Sequence, residues 1–242
     1  MTPLWIALQF LTQLPVRLSG MPTPEQTGRS LLFYPLVGGG IGALLIAAAH
    51  LLEGAPAVLQ AALLLTLWVG LTGALHLDGL ADSADAWMGG FGDRERTLAI
   101  MRDPRSGPIA VVVLVLLLLL KFAALLALLE QGNHLVLILA PVLGRSALLT
   151  LFLCTPYVRA GGLGEALSGH LPRSTGIGVS AVTALVCLLL GGIWTLLAAA
   201  GVFFWARRMM IQRLGGTTGD TAGALLEVLE CTVLMVLALQ VA

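Results

Sequence analysis

Charge is scarce in this chain. Asp, Glu, Lys and Arg make up 11% of its 242 residues, whereas 58% are hydrophobic. At a mean hydropathy of +0.96, it has more apolar surface than one soluble core buries and too little polar surface to cover the rest. An ordinary soluble globule is excluded, and a polytopic membrane protein is indicated. Net charge is zero and the basic residues form no tail or stripe, so no nucleic-acid partner is expected. Cys154, Cys187 and Cys231 stand apart in apolar segments without CxxC or Cys/His spacing; they read as small hydrophobes, and no disulfide is expected. The chain has no Gly-x-Ser-x-Gly and no Walker-type glycine loop, so a covalent enzyme intermediate is not indicated. The N-terminus lacks a basic region followed by a small-residue cleavage site, and residues 1–20 are expected to remain in the mature chain.

What is present is a series of apolar runs. A helical span needs about 20 predominantly apolar residues, and 31–52, 57–77, 108–129, 134–156 and 221–241 meet that length. Residues 176–206, interrupted by Gly191-Gly192, form either one long tilted helix or a tight pair of short ones. Trp5, Phe10, Leu11 and Leu14, followed by Pro15 and Arg17, suggest an N-terminal interfacial helix. The links at 53–56 and 130–133 carry no Lys or Arg, whereas basic residues occupy the N-terminal segment, 78–107, 157–175 and 207–220. Lys and Arg mark the cytoplasmic side of short loops. All four basic segments share that side only if 176–206 crosses twice or dips in and returns. The expected fold is therefore an all-α polytopic membrane bundle of about seven segments, with six as the alternative. Residues 1–242 form a single membrane-embedded domain on this reading.

The stretch His76-Leu77-Asp78-Gly79-Leu80-Ala81-Asp82-Ser83-Ala84-Asp85 places three carboxylates where an apolar run ends. On a helix, Asp78, Asp82 and Asp85 fall at i, i+4 and i+7 and share a face. Like charges so arranged call for a cation, and oxygen-only ligands favour magnesium over zinc. Small residues between them let a ligand come close. Downstream, Arg102 and Arg105 offer planar donors suited to phosphate oxygens. The bland reading of this segment is a solvated loop with capping residues. A second carboxylate group comprises Asp220, Glu227 and Glu230. Asp220 also suits an N-cap, but Glu227 lies two turns into an apolar helix, where an ionisable group is a functional candidate. Lys121 and Arg145 fall near the centres of their runs; each either snorkels, pairs with a neighbour, or faces an anionic ligand in a cavity. Arg29 and His76 are further candidates for phosphate contact.

These motifs resemble a known family. His76-Leu77-Asp78-Gly79-Leu80-Ala81-Asp82, Ile100-Met101-Arg102-Asp103-x-Arg105-x-Gly107, Gly144-Arg145 and Gly215-Gly216-x2-Gly219-Asp220-Thr221 are similar to those of the cobalamin-5'-phosphate synthases, the adenosylcobinamide-GDP ribazoletransferases. The resemblance also takes in Phe10-Leu11-Thr12-x-Leu14-Pro15-Val16 and Phe33-Tyr34-Pro35-Leu36-Val37-Gly38, and so runs over essentially the whole chain. It implies a magnesium-dependent, multi-pass enzyme of the bacterial cytoplasmic (inner) membrane, in contact with membrane lipid and with its active site facing the cytoplasm. The implied partners are adenosylcobinamide-GDP and alpha-ribazole or its 5'-phosphate, joined with release of GMP in the last assembly step of the cobalamin nucleotide loop. A homo-oligomer is compatible with this reading.

Joined to the residue-level reading, the resemblance implies that Asp78, Asp82 and Asp85 hold Mg2+. Arg29, His76, Arg102, Arg105, Lys121 and Arg145 then bind substrate, and Asp82 with Asp220 or Glu227 carries the chemistry. Two rivals stand beside it. The CDP-alcohol phosphotransferases share the chemistry, but their signature has Ala-Arg where this chain has Ala81-Asp82. An ion-coupled transporter would use Lys121, Arg145 and Glu227 as a relay, yet the sequence shows none of the internal repeat it would predict.

Overall fold

Lipid offers backbone N–H and C=O groups no partner, so apolar runs of this length resolve as helices. The computed structural model describes residues 2–240 except Ser19 and Ala160. Its helices are α1 (Thr2–Leu11), α2 (Pro24–Ser30), α3 (Tyr34–Leu51), α4 (Ala57–Thr72), α5 (Leu75–Gly89), α6 (Arg94–Ile100), α7 (Pro108–Glu130), α8 (Leu139–Cys154), α9 (Leu163–Gly169), α10 (Arg173–Leu214) and α11 (Gly219–Gln240). Short 3-10 turns precede α3 and α8. Five stretches are individually long and apolar enough to cross a membrane, and the bent pair α4–α5 makes a sixth.

Three expectations are refined by this arrangement. The run 57–77 is not one straight span. Gly73 and Ala74 both adopt left-handed dihedrals, with φ of 61° and 57°, and α5 leaves α4 at 87°. The N-terminal helix is more than an interfacial strip: Ile6, Ala7 and Leu11 are buried, and Phe10 stacks on Tyr34 with ring centroids 6.3 Å apart. Finally, the 42-residue α10 would extend about 63 Å if straight, roughly twice the ~30 Å hydrocarbon core. It instead breaks at Gly192, where φ is 76°, a value glycine adopts without steric cost. Arg173 at its start donates to Leu153 O, and Arg207 near its end donates to Cys154 O. Both ends of α10 thus return to the C-terminal end of α8, and the helix is a hairpin with arms of about 28 and 33 Å.

Close backbone approach fixes the seam between α3 and the start of α8. Added Cβ atoms on Gly38 and Gly42 would come 2.3 Å from Pro141 O and 2.6 Å from Ile138 Cα. The four-residue spacing is the small-residue pattern that brings membrane helices together through van der Waals contact.

Helix α11 packs against α5, α7, α8 and α10, and its two glutamates are neutralised there. Lys121 Nζ of α7 donates to Glu227 Oε2 at 2.6 Å and to Glu230 Oε2 at 2.8 Å. Arg145 of α8 donates to Glu230 Oε1. Trp68 of α4 lies beneath the ammonium, 4.8 Å from ring centroid to Nζ, a favourable cation–π distance. All four charged side chains are buried, and their charges sum to zero. Glu230→Gln leaves two buried cations sharing one carboxylate and should lower stability by about 3–5 kcal/mol, measured as thermal unfolding of the detergent-solubilised protein. Removing one charge of each sign, Lys121→Met with Glu227→Gln, should destabilise less than either change alone; additive losses would show that the four groups do not act as a set.

Candidate active site

The site forms where α5 crosses the first turns of α11. A Cβ on Gly79 would come 2.8 Å from Asp220 O, and one on Gly223 3.2 Å from His76 Cα, so both crossings depend on glycine. The contact places Asp78 and Asp220 in one cavity wall. Asp82, one turn along α5, lies within electrostatic reach of Asp78 and Asp220. Among the described residues, neither Asp78 nor Asp82 has an ion-pair or hydrogen-bond partner for its side chain.

The start of α11 is held by threonines rather than by Asp220. Thr218 Oγ1 accepts from Thr221 N at 3.2 Å, and Thr221 Oγ1 accepts from Thr218 N at 2.9 Å. This reciprocal cap satisfies two backbone donors and leaves the Asp220 carboxylate available to the cavity. A short parallel bridge ties the preceding loop to the segment after α8: Val158 N donates to Thr217 O at 3.0 Å, and Thr217 N to Pro156 O at 2.8 Å. That bridge delivers Arg159, whose Nη1 lies 2.9 Å from Asp220 Oδ2. It also delivers Tyr157, whose hydroxyl burial pushes above its ordinary pKa, so the phenol remains a proton donor.

The resulting cavity has a volume of about 610 Å³. Asp78, Arg102, Arg159 and Asp220 supply its charged lining, with His76 and Tyr157 beside them, while Phe10, Tyr34, Leu148 and Phe152 form an apolar wall. Two guanidinium groups and two carboxylates lining one half-apolar cavity suit an anionic, metal-bridged group attached to a larger, less polar one.

The remaining sequence candidates are placed elsewhere. Lys121, Arg145 and Glu227 do not line the cavity; they form the buried network with Glu230. Asp85 turns toward the start of α7, where its two oxygens accept from Gly107 N and, at 3.0 Å, from Ala110 N. Arg105 is exposed and forks onto Asp103, with bonds of 2.9 and 2.6 Å; those bonds hold the Asp103 carboxyl near a pKa of about 2. Arg29 is exposed on α2 and is not part of the cavity lining. His76 does line it, buried, with Nδ1 unpartnered among the described residues. Tyr157 and Arg159 were not singled out by sequence reasoning. Their only signal is an aromatic and an arginine just before the Gly161-Gly162 pair.

The fold and site define a multi-pass helical membrane protein with an acidic, arginine-flanked cavity of the kind that handles phosphorylated substrates. The sequence profile described as cobalamin-5-phosphate synthase matches residues 3–238, and the chain belongs to that family. Adenosylcobinamide-GDP ribazoletransferases of Pseudomonas putida (strain W619) and Pseudomonas fluorescens (strain Pf0-1) are 70% and 69% identical to it over 242 residues, covering 99% of this chain and 99–100% of theirs. The enzyme of the same description from Stutzerimonas stutzeri (strain A1501) is 68% identical over 243 residues, covering 100% of this chain and 99% of its own. No solved structure matches the chain. The family assignment sets aside both the CDP-alcohol phosphotransferase and the transporter readings, and the transporter's relay residues are occupied in the buried network with Glu230.

The placement of Asp85 yields a direct test. Asp85→Ala should lower the stability of the detergent-solubilised protein by about 0.5–2 kcal/mol through loss of the α7 cap, measured as thermal unfolding. An unchanged unfolding temperature would show that Asp85 does not hold the start of α7.

Proposed function

We propose that this chain transfers the cobinamide-phosphate group of adenosylcobinamide-GDP to alpha-ribazole, or to its 5'-phosphate, with release of GMP. The observation that carries the reading is the convergence of Asp78, Asp220, Arg102 and Arg159 on one cavity in a member of this family. A cavity of about 610 Å³ is the size that encloses a drug-sized ligand, whereas a corrinoid nucleotide is several times larger. The diphosphate and one flanking group therefore occupy the cavity, and the corrin ring stays outside it.

Magnesium fits this donor set. Asp78 and Asp82 offer only oxygen and are unpaired among the described residues, so these two would hold the ion. When bound, it would neutralise the diphosphate and the charge developing on departing GMP. Arg102 and Arg159 grip non-bridging oxygens and align the reacting phosphorus. Asp220 exchanges its contact with Arg159 for the attacking ribose hydroxyl and accepts that proton. The ribose O–P bond forms as the P–O bond to GMP breaks. Glu227 is not the base in this scheme, because Lys121 holds it in the buried network. The apolar wall of Phe10, Tyr34 and Phe152 shields the reacting centre from water, which would otherwise compete with the ribose hydroxyl as acceptor.

Purified protein should release GMP from adenosylcobinamide-GDP only when a ribazole acceptor and magnesium are present, and running both acceptors reveals which is preferred. Asp220→Asn should lower turnover by about 10²–10⁴-fold, and Asp82→Asn should do so in a way that excess magnesium does not repair. Near-normal turnover by Asp82→Asn at saturating magnesium would sink the metal role, and release of GMP without an acceptor would sink the transfer.

Counting each arm of α10 as a crossing gives seven membrane segments, with the cavity and all four basic segments on the cytoplasmic side of the inner membrane. The hairpin contacts of Arg173 and Arg207 with α8 support this count. With the native cysteines replaced, cysteines at Glu95 and Gln212 should both resist an impermeant thiol reagent in cells whose outer membrane has been permeabilised. One at Leu135, on the opposite face, should react. Labelling at Gln212 would favour six segments.

A further inference from the structure

We propose that the end of the bundle opposite the active-site cavity carries a second metal site, built from His50, Glu53 and His134, for a late first-row divalent ion such as zinc. His50 lies in the last turn of α3, Glu53 in the turn that follows it, and His134 opens the 3-10 turn leading into α8. His50 Nδ1 is 2.6 Å from Glu53 Oε1. By itself that is an ordinary pair three residues apart at a helix end. The third ligand comes from a distant part of the chain. The ring of His134 meets that of His50 edge-on, with centroids 5.1 Å apart and planes at 72°. One ligand atom from each of the three residues lies within 4.8 Å of the other two, and among the described residues this is the group of His, Cys, Asp and Glu that meets that spacing.

Around a tetrahedral ion with bonds of about 2.0–2.2 Å, ligand atoms stand roughly 3.3 Å apart, so the His134 ligand atom needs to close by at most about 1.5 Å, while His50 and Glu53 need to open by about 0.7 Å. His50 and Glu53 have side chains 57% and 61% exposed and are free to rotate by that amount. The backbone beneath them is not loose: Gly42 brings α3 against Ile138 of the same 3-10 turn, which fixes the two histidines relative to one another. Two imidazoles with one carboxylate select zinc-like ions over magnesium and calcium, which prefer all-oxygen sets. The links at 53–56 and 130–133 hold no Lys or Arg to compete for the carboxylate. Three protein ligands leave a fourth position to water. An ion bound there bridges the α3–α4 turn to the start of α8 and closes the bundle at the end remote from the Asp cluster. The site shares no residue with the proposed active site and stands independently of that reaction.

The test uses tag-free, full-length protein in detergent, titrated with zinc in a calorimeter and followed by thermal unfolding. Wild type should bind one zinc per chain and unfold at a higher temperature with zinc than without it. His134→Gln and His50→Gln should each weaken binding by about tenfold or more and abolish the zinc-dependent rise, while their zinc-free unfolding temperature and GMP release stay at the wild-type level. Cobalt(II) in place of zinc should give a visible ligand-field absorption that His134→Gln loses. No saturable binding by wild type, or equal binding by both histidine variants, overturns the proposal; the second outcome would move the ion to other residues.

Discussion

A neutral set of four buried charges determines how the bundle is assembled. Lys121 of α7, Arg145 of α8, and Glu227 and Glu230 of α11 neutralise one another away from water. Separating any one from the others leaves a charge in a low-dielectric surround, at a cost of several kcal/mol. The set therefore fixes the rotation and depth of α11 against its neighbours. Asp220 is seven residues before Glu227 and so projects from nearly the same face. Once Glu227 is fixed on Lys121, the direction of Asp220 follows, and with it the position of the cavity. These four buried charges orient the helix that brings Asp220 to the cavity without lining the cavity themselves.

The basic residues of the loops also have more than one role. By their distribution they mark one side of the membrane, and several satisfy helix ends on that side. Arg94 donates to Leu214 O, Arg213 to Trp87 O, Arg173 to Leu153 O and Arg207 to Cys154 O. Carbonyls at a helix C-terminus lack intrahelical donors and carry the negative end of the helix dipole, so guanidinium groups suit them. Arg102 and Arg159 differ from these four in facing the cavity. The same residue type thus sets sidedness, closes helix ends and lines the site.

Much of this was legible in the sequence. Apolar run length located the membrane helices, and the break at Gly191-Gly192 marked the place where α10 turns. The paired Asp78 and Asp82 and the Asp220 motif indicated which helices build the site, and several such motifs together carried the family. What stayed hidden depends on contacts between distant segments. The shared face of Asp78, Asp82 and Asp85 is a property of one helix. That Asp85 serves α7 depends on the chain returning 22 residues later to present Gly107 N. Lys121 and Arg145 read as candidate substrate contacts, and Glu227 as a candidate catalytic group, because their mutual partners lie 85 to 109 residues apart. Arg159 sits in a loop without periodicity, and only the bridge between Val158 and Thr217 brings it to Asp220. The 87° bend at Gly73-Ala74 was also unreadable, since Ala74 is an alanine in a conformation alanine seldom takes.

The order of the helices along the chain bears on how the protein is made. Glu230 is synthesised 109 residues after Lys121 and 85 after Arg145. Helices α7 and α8 therefore enter the bilayer before their carboxylates exist, each carrying a cation whose insertion costs about 2.5–3.5 kcal/mol on translocon scales. During that interval the nascent bundle is electrically incomplete, and both helices do best held beside the insertion machinery rather than released into lipid. Helix α11, made after both, cancels the two charges at once. Its docking and the arrival of Asp220 at the cavity thus become one event.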